Sequence, residues 1–418
     1  MSGSRIAGLL GRLWFRALER EGPVPPPGPC LFLLNHPNGL LDPLAAAALL
    51  DRRAGWVAKA TLWKILPLRP FLAAFRAIPF TRPKDGGATR ESILQGFRQV
   101  HEVLGQGGSV ALFPEGVSHS GADLAPLKTG AARMALTSPV PVTLVPAGLI
   151  YGDRASFRHS VLLRLGEPVA WADLAEQGAA PAVVAELTAR IRRALQALSL
   201  HDPEVRCLAL AQDLAWLLAE APGSRVDLEA LRRRVRALLP ALAALDGADL
   251  DALEARVRSV QAWLAEKGLR PDQVGHPYAG EEIRRWLPGA ALRLGASLLL
   301  LPLSLLYWPS YALVGWLAGR FTEEGDQVAT LKLLGGLLLH PLWAGLLMVL
   351  ASWRWGWPGA LVPPVALLVA TLGRPVLDQA QDDFQAVRGF LRRRDPAVPA
   401  LLEARRQLLE AFPQLQRS

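Results

Sequence analysis

Cysteine is nearly absent from this chain. Two thiols, Cys30 and Cys207, in 418 residues exclude a disulfide framework, and no paired Cys/His spacing sets up a zinc or other metal site. Their scarcity fits a reducing compartment. Zinc-finger spacings, RNP-type segments and lysine tracts are missing too. The net charge of +9 and pI of 10.1 therefore argue for anionic lipid or a phosphorylated substrate rather than nucleic acid. A cleavable leader is also not expected. Arg12 and Arg16 interrupt any apolar core near the start, and no small-residue cleavage site follows.

What is abundant is apolar. Hydrophobic residues make up 51% and the mean hydropathy is +0.22, which points to membrane segments before any window is scanned. Residues 4–20 place Ile6, Leu9, Leu10, Leu13, Trp14 and Leu18 on one helical face, ringed by Arg5, Arg12, Arg16 and Arg20. This predicts an amphipathic helix over 1–22, lying either in a membrane interface or on its own domain. Pro23 to Pro29 is a stiff lead into the first predicted strand.

From Cys30 to about Leu198 short apolar runs alternate with helical stretches. Strands are predicted at 30–34, 55–58, 77–81, 109–113, 142–147 and 161–165, and helices at 43–51, 88–105, 127–137 and 181–198. The alternation predicts an α/β domain over 23–203, a mostly parallel sheet flanked by helices.

Leu31 to Leu34 ends at Asn35-His36-Pro37-Asn38-Gly39, a turn, and Pro43 suits the first position of a helix with Asp42 as its N-cap. His36 and Asp42 thus flank one turn at the C-terminal end of a strand, where open α/β sheets place ligands. They read either as a general base with its orienting carboxylate or as a turn residue and a helix cap. Three further stretches carry chemistry. Ile78-Pro79-Phe80-Thr81-Arg82 leads to Lys84, and Phe113-Pro114-Glu115-Gly116-Val117-Ser118-His119 is a Pro/Gly turn. Leu127-Lys128-Thr129-Gly130 opens a small-residue helix that includes Arg133. Each singly also reads as solvated loop or surface polarity.

In this order the segments resemble the glycerophospholipid acyltransferase family, from Pro29 to Pro168. Asn35-His36 with Asp42 resembles its catalytic block, Ile78 to Arg82 the second, Phe113 to Gly116 the third and Leu144-Val145-Pro146 the fourth. Phe-Pro-Glu-Gly downstream of the histidine is the specific signal. Five residues separate His36 from Asp42, where the family has four, and Val117-Ser118-His119 replace its threonine and arginine. Both departures resemble the fungal branch that acylates glycerol 3-phosphate and dihydroxyacetone phosphate. That branch also shares a stretch like Leu124 to Ala131, and Tyr151 through Arg158.

The resemblance implies a membrane-bound acyltransferase that moves an acyl group from a thioester to a hydroxyl of glycerol 3-phosphate or dihydroxyacetone phosphate. Lysophosphatidic acid or another lysophospholipid is the alternative acceptor. His36 and Asp42 would be catalytic, and Arg82, Glu115, Gly116, Ser118 and Lys128 would bind substrate, Glu115 by ordering the acceptor or its loop. Arg82 would hold phosphate, with Lys84, Lys128, Arg133 or Arg158 standing in for the missing arginine. Backbone donors near Glu115-Gly116 and after Leu34 would stabilise the oxyanion. No metal or redox cofactor is implied, only an acyl-CoA or acyl carrier protein co-substrate. A serine hydrolase at Ser118 is disfavoured, because Gly116 to Gly121 has one residue too many for a nucleophile elbow. A non-catalytic, membrane-anchored lipid-binding protein is the other reading.

Residues 204–283 are rich in alanine, leucine and arginine and predict helices at 204–220, 227–245 and 249–267, capped by Asp202, Asp227 and Asp249. Arg232 to Arg236 reads as a solvated face. A transmembrane region is predicted over 284–375, with spans at Leu294–Ala318 and Leu333–Ser352. Gly356 to Leu372, with three prolines, is expected to be re-entrant or interfacial, and three full spans are the alternative. Basic flanks at Arg284, Arg285 and Arg374 place both ends, and with them the catalytic domain, on the cytoplasmic side. Residues 376–418 predict a helical tail.

Overall fold

The computed structural model describes residues 3–50, 52–82, 89–119, 124–151, 157–198, 205–217, 228–267, 280–322 and 325–392, with a few tail positions. Two compact units divide the chain, one of residues 1–201 with 324–330, the other of 202–323 with 331–418.

The first unit is built on a seven-stranded sheet. Its strands are β1 (Ala17–Glu21), β2 (Cys30–Leu34), β3 (Ala54–Lys59), β4 (Ala77–Phe80), β5 (Ser109–Leu112), β6 (Thr143–Tyr151) and β7 (Ser160–Leu165), in the order β1-β7-β6-β2-β5-β3-β4. The five strands from β6 to β4 run parallel, and β7 pairs with β6 antiparallel. Every residue of β2 and β5 is buried, the continuous apolar pattern of strands covered on both faces. Pro79, which cannot donate to a ladder, sits in the edge strand β4.

Helices α1 (Gly3–Trp14), α2 (Leu41–Leu49), α3 (Arg69–Ala74), α4 (Arg90–Gly105), α5 (Gly130–Leu136), α6 (Ala172–Ala175) and α7 (Pro181–Leu198) surround the sheet. One face of β2, Leu31 and Leu33, joins a core with Val100 and Leu104 of α4, Ala132 of α5 and Val184, Leu187, Ile191 and Leu195 of α7. The α7 set follows the three- and four-residue spacing of one helical face. A reciprocal capping box starts α4: Thr89 Oγ1 accepts from Ser92 N at 3.1 Å, and Ser92 Oγ from Thr89 N at 3.1 Å. Gly96 lets α4 close on β4, since a methyl group there would meet Phe80 Cδ2 at 2.5 Å. That close approach seats the strand end that delivers Arg82.

The helix expected over 1–22 stops at Trp14, and Ala17 to Glu21 instead pairs with β7. Ala, Leu, Glu and Arg are good helix formers, so local propensity favoured a helix while tertiary pairing decided the outcome. Arg158 helps end α1, its Nη1 donating to the carbonyls of Arg12 at 2.7 Å and Phe15 at 2.9 Å. Of the alternatives for this helix, packing on its own domain is seen: Trp14 is buried, and a methyl at Gly11 would meet Ala48 of α2 at 3.2 Å.

In the second unit, α8 (Val205–Leu217), α9 (Leu228–Ala243) and α10 (Gly247–Lys267) match the three predicted helices. Asp249 is not the cap of the third. Asp246 takes that role, its Oδ1 accepting from Asp249 N at 2.8 Å. Asp202 and Asp227 lie outside the described residues.

Two later helices contain stretches long and apolar enough to cross a membrane, Ile283–Leu306 and Val328–Trp355. The predicted first span, 294–318, is therefore misplaced: its helix ends at Leu306 and a second runs Trp308–Phe321. Pro309 stands in the first turn of the second helix, a position proline suits. Buried Tyr307 fills the break, donating from Oη to Pro363 O at 2.7 Å. Residues Trp357–Leu372 form a 3-10 turn and a short helix bent by 52° against Arg374–Leu391, the geometry of a broken span or a re-entrant loop. Within this unit Asp383 accepts from Arg293 Nε at 2.6 Å, Arg293 Nη2 at 2.9 Å and Trp286 Nε1 at 2.9 Å. An ion in an apolar helix is thereby paired, as the membrane environment demands.

Candidate active site

Parallel registry puts the C-terminal ends of β2, β5, β3 and β4 on one edge of the sheet. His36 leaves β2 there, Phe113 leaves β5 and Arg82 leaves β4. Asn35 anchors the turn to β6 by a side chain that imitates a strand: Nδ2 donates to Leu149 O at 3.0 Å, and Oδ1 accepts from Leu149 N at 2.6 Å.

His36 Nδ1 lies 2.8 Å from Asp42 Oδ2. A carboxylate accepts only, so Nδ1 carries the proton and Nε2 the lone pair. The imidazole stacks on Phe113 with centroids 3.9 Å apart and planes at 13°, and its side chain stays 18% exposed. Asp42 itself is fully buried. Its Oδ2 also accepts from Asn38 N at 2.7 Å, and its Oδ1 from Tyr151 Oη at 2.6 Å. Such saturation is what burying a carboxylate requires. Asp42 is not the helix cap expected from Pro43: α2 begins at Leu41 after Leu40, without a side-chain cap. The carboxylate is turned back into the loop instead.

Glu115 binds this turn to the one after β5. Its Oε1 accepts from His36 N at 2.7 Å; its Oε2 accepts from Ala125 N at 2.8 Å and pairs with His119 Nε2. With its side chain buried and both oxygens engaged, Glu115 orders the loops, one of the two roles expected of it. Arg192 supports the same loop, donating to Leu124 O at 3.2 Å and Ala125 O at 3.1 Å. Gly116 holds a positive φ of 70° that a side chain would strain. Its carbonyl accepts from Arg82 Nη1, and the Lys128 stem lies beside it, 3.4 Å from where a Cβ would stand. Arg82, Gly116 and exposed Lys128 therefore meet at one place. Ser118 sits on the same loop, partly exposed. Among the described residues its hydroxyl is hydrogen-bonded to neither His36 nor His119, so no hydrolase triad is assembled.

Three other expectations change. Arg158 is occupied by the α1 carbonyls, and Arg133 is an exposed residue of α5 whose Nε reaches Thr129 Oγ1 at 3.4 Å. Lys84 lies outside the described residues. The N–H groups of His36, Asn38 and Gly116 are consumed by Glu115, Asp42 and Phe113 O, so none of these three can hold an oxyanion. Sequence reasoning also missed the parts played by Tyr151, His119 and Arg192. Tyr151 and His119 stand in the sequence only as letters within shared stretches, and nothing local marks Arg192.

Cys30, at the start of β2, is not a nucleophile candidate. Burial pushes its thiol up from the ordinary range, only partly offset by the Arg52 guanidinium, whose Nη1 lies 3.1 Å from Sγ.

Part of the chain is similar to known proteins. A family model described as Acyltransferase matches residues 17–150, ending one residue before Tyr151. Glycerol-3-phosphate O-acyltransferase 2 of Saccharomyces cerevisiae is 41% identical over 78 residues, 18% of this chain and 10% of that protein. Glycerol-3-phosphate O-acyltransferase 1 of the same yeast is 36% identical over 78 residues, with the same coverage. The chain thus spans about a tenth of the length of these relatives. The crystal structure of a 1-acyl-sn-glycerophosphate acyltransferase from Thermotoga maritima aligns with 47% of this chain and 77% of that one, at 19% identity and a TM-score of 0.35, too distant to bear on the site. The match over residues 17–150, which carry the four blocks and the His36–Asp42 pair, together with the yeast relatives, supports the glycerophospholipid acyltransferase family for this domain.

Proposed function

We propose that this protein transfers a fatty acyl group from a thioester to a hydroxyl of glycerol 3-phosphate or dihydroxyacetone phosphate, at a membrane, in phospholipid synthesis. The observation that carries the reading is the buried Asp42 carboxylate holding His36 by Nδ1, beside the turn where Arg82 and Lys128 flank Gly116. His36 Nε2 takes the hydroxyl proton as the oxygen attacks the thioester carbonyl. The C–O bond forms, the tetrahedral intermediate collapses with loss of the C–S bond, and the imidazolium returns its proton to the thiolate. Asp42 keeps the ring in the useful tautomer and stabilises its cation. Arg82 and Lys128 supply the positive charge for the acceptor phosphate, Arg82 through the planar fork suited to it.

The donor is an acyl-CoA or acyl carrier protein thioester, used as co-substrate without a resident cofactor. The apolar helices hold the protein in the bilayer, with the catalytic domain on the cytoplasmic side. The yeast relatives' names favour glycerol 3-phosphate as acceptor, and lysophosphatidic acid is the alternative. Membranes containing the protein are incubated with labelled acyl thioester and either glycerol 3-phosphate or its monoacyl form. General-base catalysis is worth about 10²–10⁴-fold, so His36→Ala should lose at least that, and Ser118→Ala should not. Product from neither acceptor would leave the lipid-binding reading ahead.

A further inference from the structure

Between Asp51 and Asp85 the chain carries no acidic residue, yet it includes Lys59, Lys64, Arg69, Arg76 and Arg82. The segment after β3 concentrates this asymmetry. It is two short 3-10 turns, Ala60–Lys64 and Leu66–Leu68, closed by Arg69 Nε donating to Trp63 O at 2.9 Å. Its apolar tips face outward: Ile65 is 48% exposed and Leu66 66% exposed. Lys59, Lys64 and Arg69 are exposed around them. Soluble surfaces do not gain from adjacent exposed aliphatics rimmed by a single sign of charge. An anionic bilayer surface matches both features, taking aliphatic side chains into its acyl boundary and cations at its headgroups.

Position adds a reason. β3 is parallel to β5, and β5 to β2, so the segment emerges on the edge of the sheet where His36, Arg82 and the Glu115 turn lie. A surface that rests on lipid should border the place where a lipid-soluble chain meets the catalytic base. We infer that residues 59–69 form a membrane-contact loop of the catalytic domain, with Ile65 and Leu66 inserted among anionic phospholipids and Lys59, Lys64 and Arg69 at their headgroups. This goes beyond anchoring by apolar helices, because it gives the sheet's own active-site edge a lipid contact.

The test needs no turnover, so its outcome is independent of the proposed reaction. Both native cysteines are buried, which allows a single environment-sensitive fluorophore to be placed at Leu66→Cys in the full chain. Val24→Cys serves as the control, since Val24 is 76% exposed on the lead into the N-terminal end of β2, the opposite edge. Each is reconstituted into phosphatidylcholine vesicles with and without phosphatidylglycerol. Expected is strong quenching at position 66 by a lipid-borne nitroxide and weak quenching by aqueous iodide, with the reverse at position 24. Lys64→Glu with Arg69→Glu, two exposed changes, should abolish the lipid quenching at 66. Iodide access at 66 equal to that at 24 overturns the inference. Shielding from both quenchers also overturns it, as the mark of a protein contact, and so does lipid quenching indifferent to phosphatidylglycerol and to the charge reversal.

Discussion

Tyr151 donates its phenolic hydrogen to Asp42 Oδ1 at 2.6 Å, from the last residue of β6 to a carboxylate 109 positions earlier in the chain. Asp42 therefore serves two masters, the imidazole on one oxygen and the phenol on the other. A hydrogen bond to a charged group is worth about 1.5–3 kcal/mol, and this one anchors the carboxylate that also holds His36 and Asn38 N. Tyr151→Phe leaves Asp42 Oδ1 buried without its phenol donor, at a cost of about 1–3 kcal/mol, and loosens the carboxylate that holds the His36 ring. We expect a lower unfolding temperature and a fall in kcat, with KM for the acceptor the same. An unchanged kcat in a destabilised variant would reduce Tyr151 to packing.

Glu115→Gln keeps the shape of the hub and removes half of its function. The amide oxygen can still accept from His36 N, but its NH2 then faces Ala125 N, donor against donor. Leaving a buried donor unpaired costs about 1–3 kcal/mol. We expect a lower unfolding temperature in detergent and a fall in kcat, because the turn carrying His36 loosens with the loop it is tied to. Full activity at unchanged stability would remove Glu115 from the positioning role.

Cys30 ties stability to alkaline pH. Its thiol is held above the ordinary value by burial, so the folded chain keeps the proton after the unfolded chain, with a thiol near pKa ~8.5, has lost it. The unfolded state then binds fewer protons and stability falls as pH rises past that value. Urea titrations at neutral and alkaline pH should show the difference, and Cys30→Ala should shrink it. In the native state Cys30 should resist maleimide at neutral pH and react once the chain is unfolded.

Asp383→Asn should damage the second unit. It leaves the half-buried Arg293 guanidinium with a weaker, uncharged partner in place of the buried Asp383 carboxylate. Reduced yield and a lower melting temperature in detergent are expected, with the double change Arg293→Met and Asp383→Leu recovering part of the loss. No recovery would point away from the unpaired charge as the cause.

How much of this was readable in the sequence depends on how local each feature is. Strands β2 to β7 announced themselves as short apolar runs bounded by turn residues, and α4 and α7 by their spacing. β1 did not, because helix-forming residues were recruited by a partner strand more than a hundred residues away. The His36–Asp42 pair was visible as a motif, but its surroundings were not. Asp42 looked like a cap because a proline comes directly after it, and only folding brings Tyr151 to it. Glu115 kept its place in the motif, but which of its two expected roles it fills was not legible, since no spacing rule reveals that both its oxygens are taken. The break at Tyr307 was missed because hydropathy averages over a window and does not register where one helix gives way to the next.

Two buried carboxylates reach across strand boundaries in opposite senses. Asp42, beside β2, is gripped from β6, while Glu115, beyond β5, grips the end of β2. Like a pair of crossed latches, they make the spacing of three neighbouring strands a condition for His36 to stand where it does. For the reaction proposed above, turnover is therefore a gauge of sheet alignment, and substitutions far out on β5 or β6 that shift a strand should register in turnover before they register in unfolding.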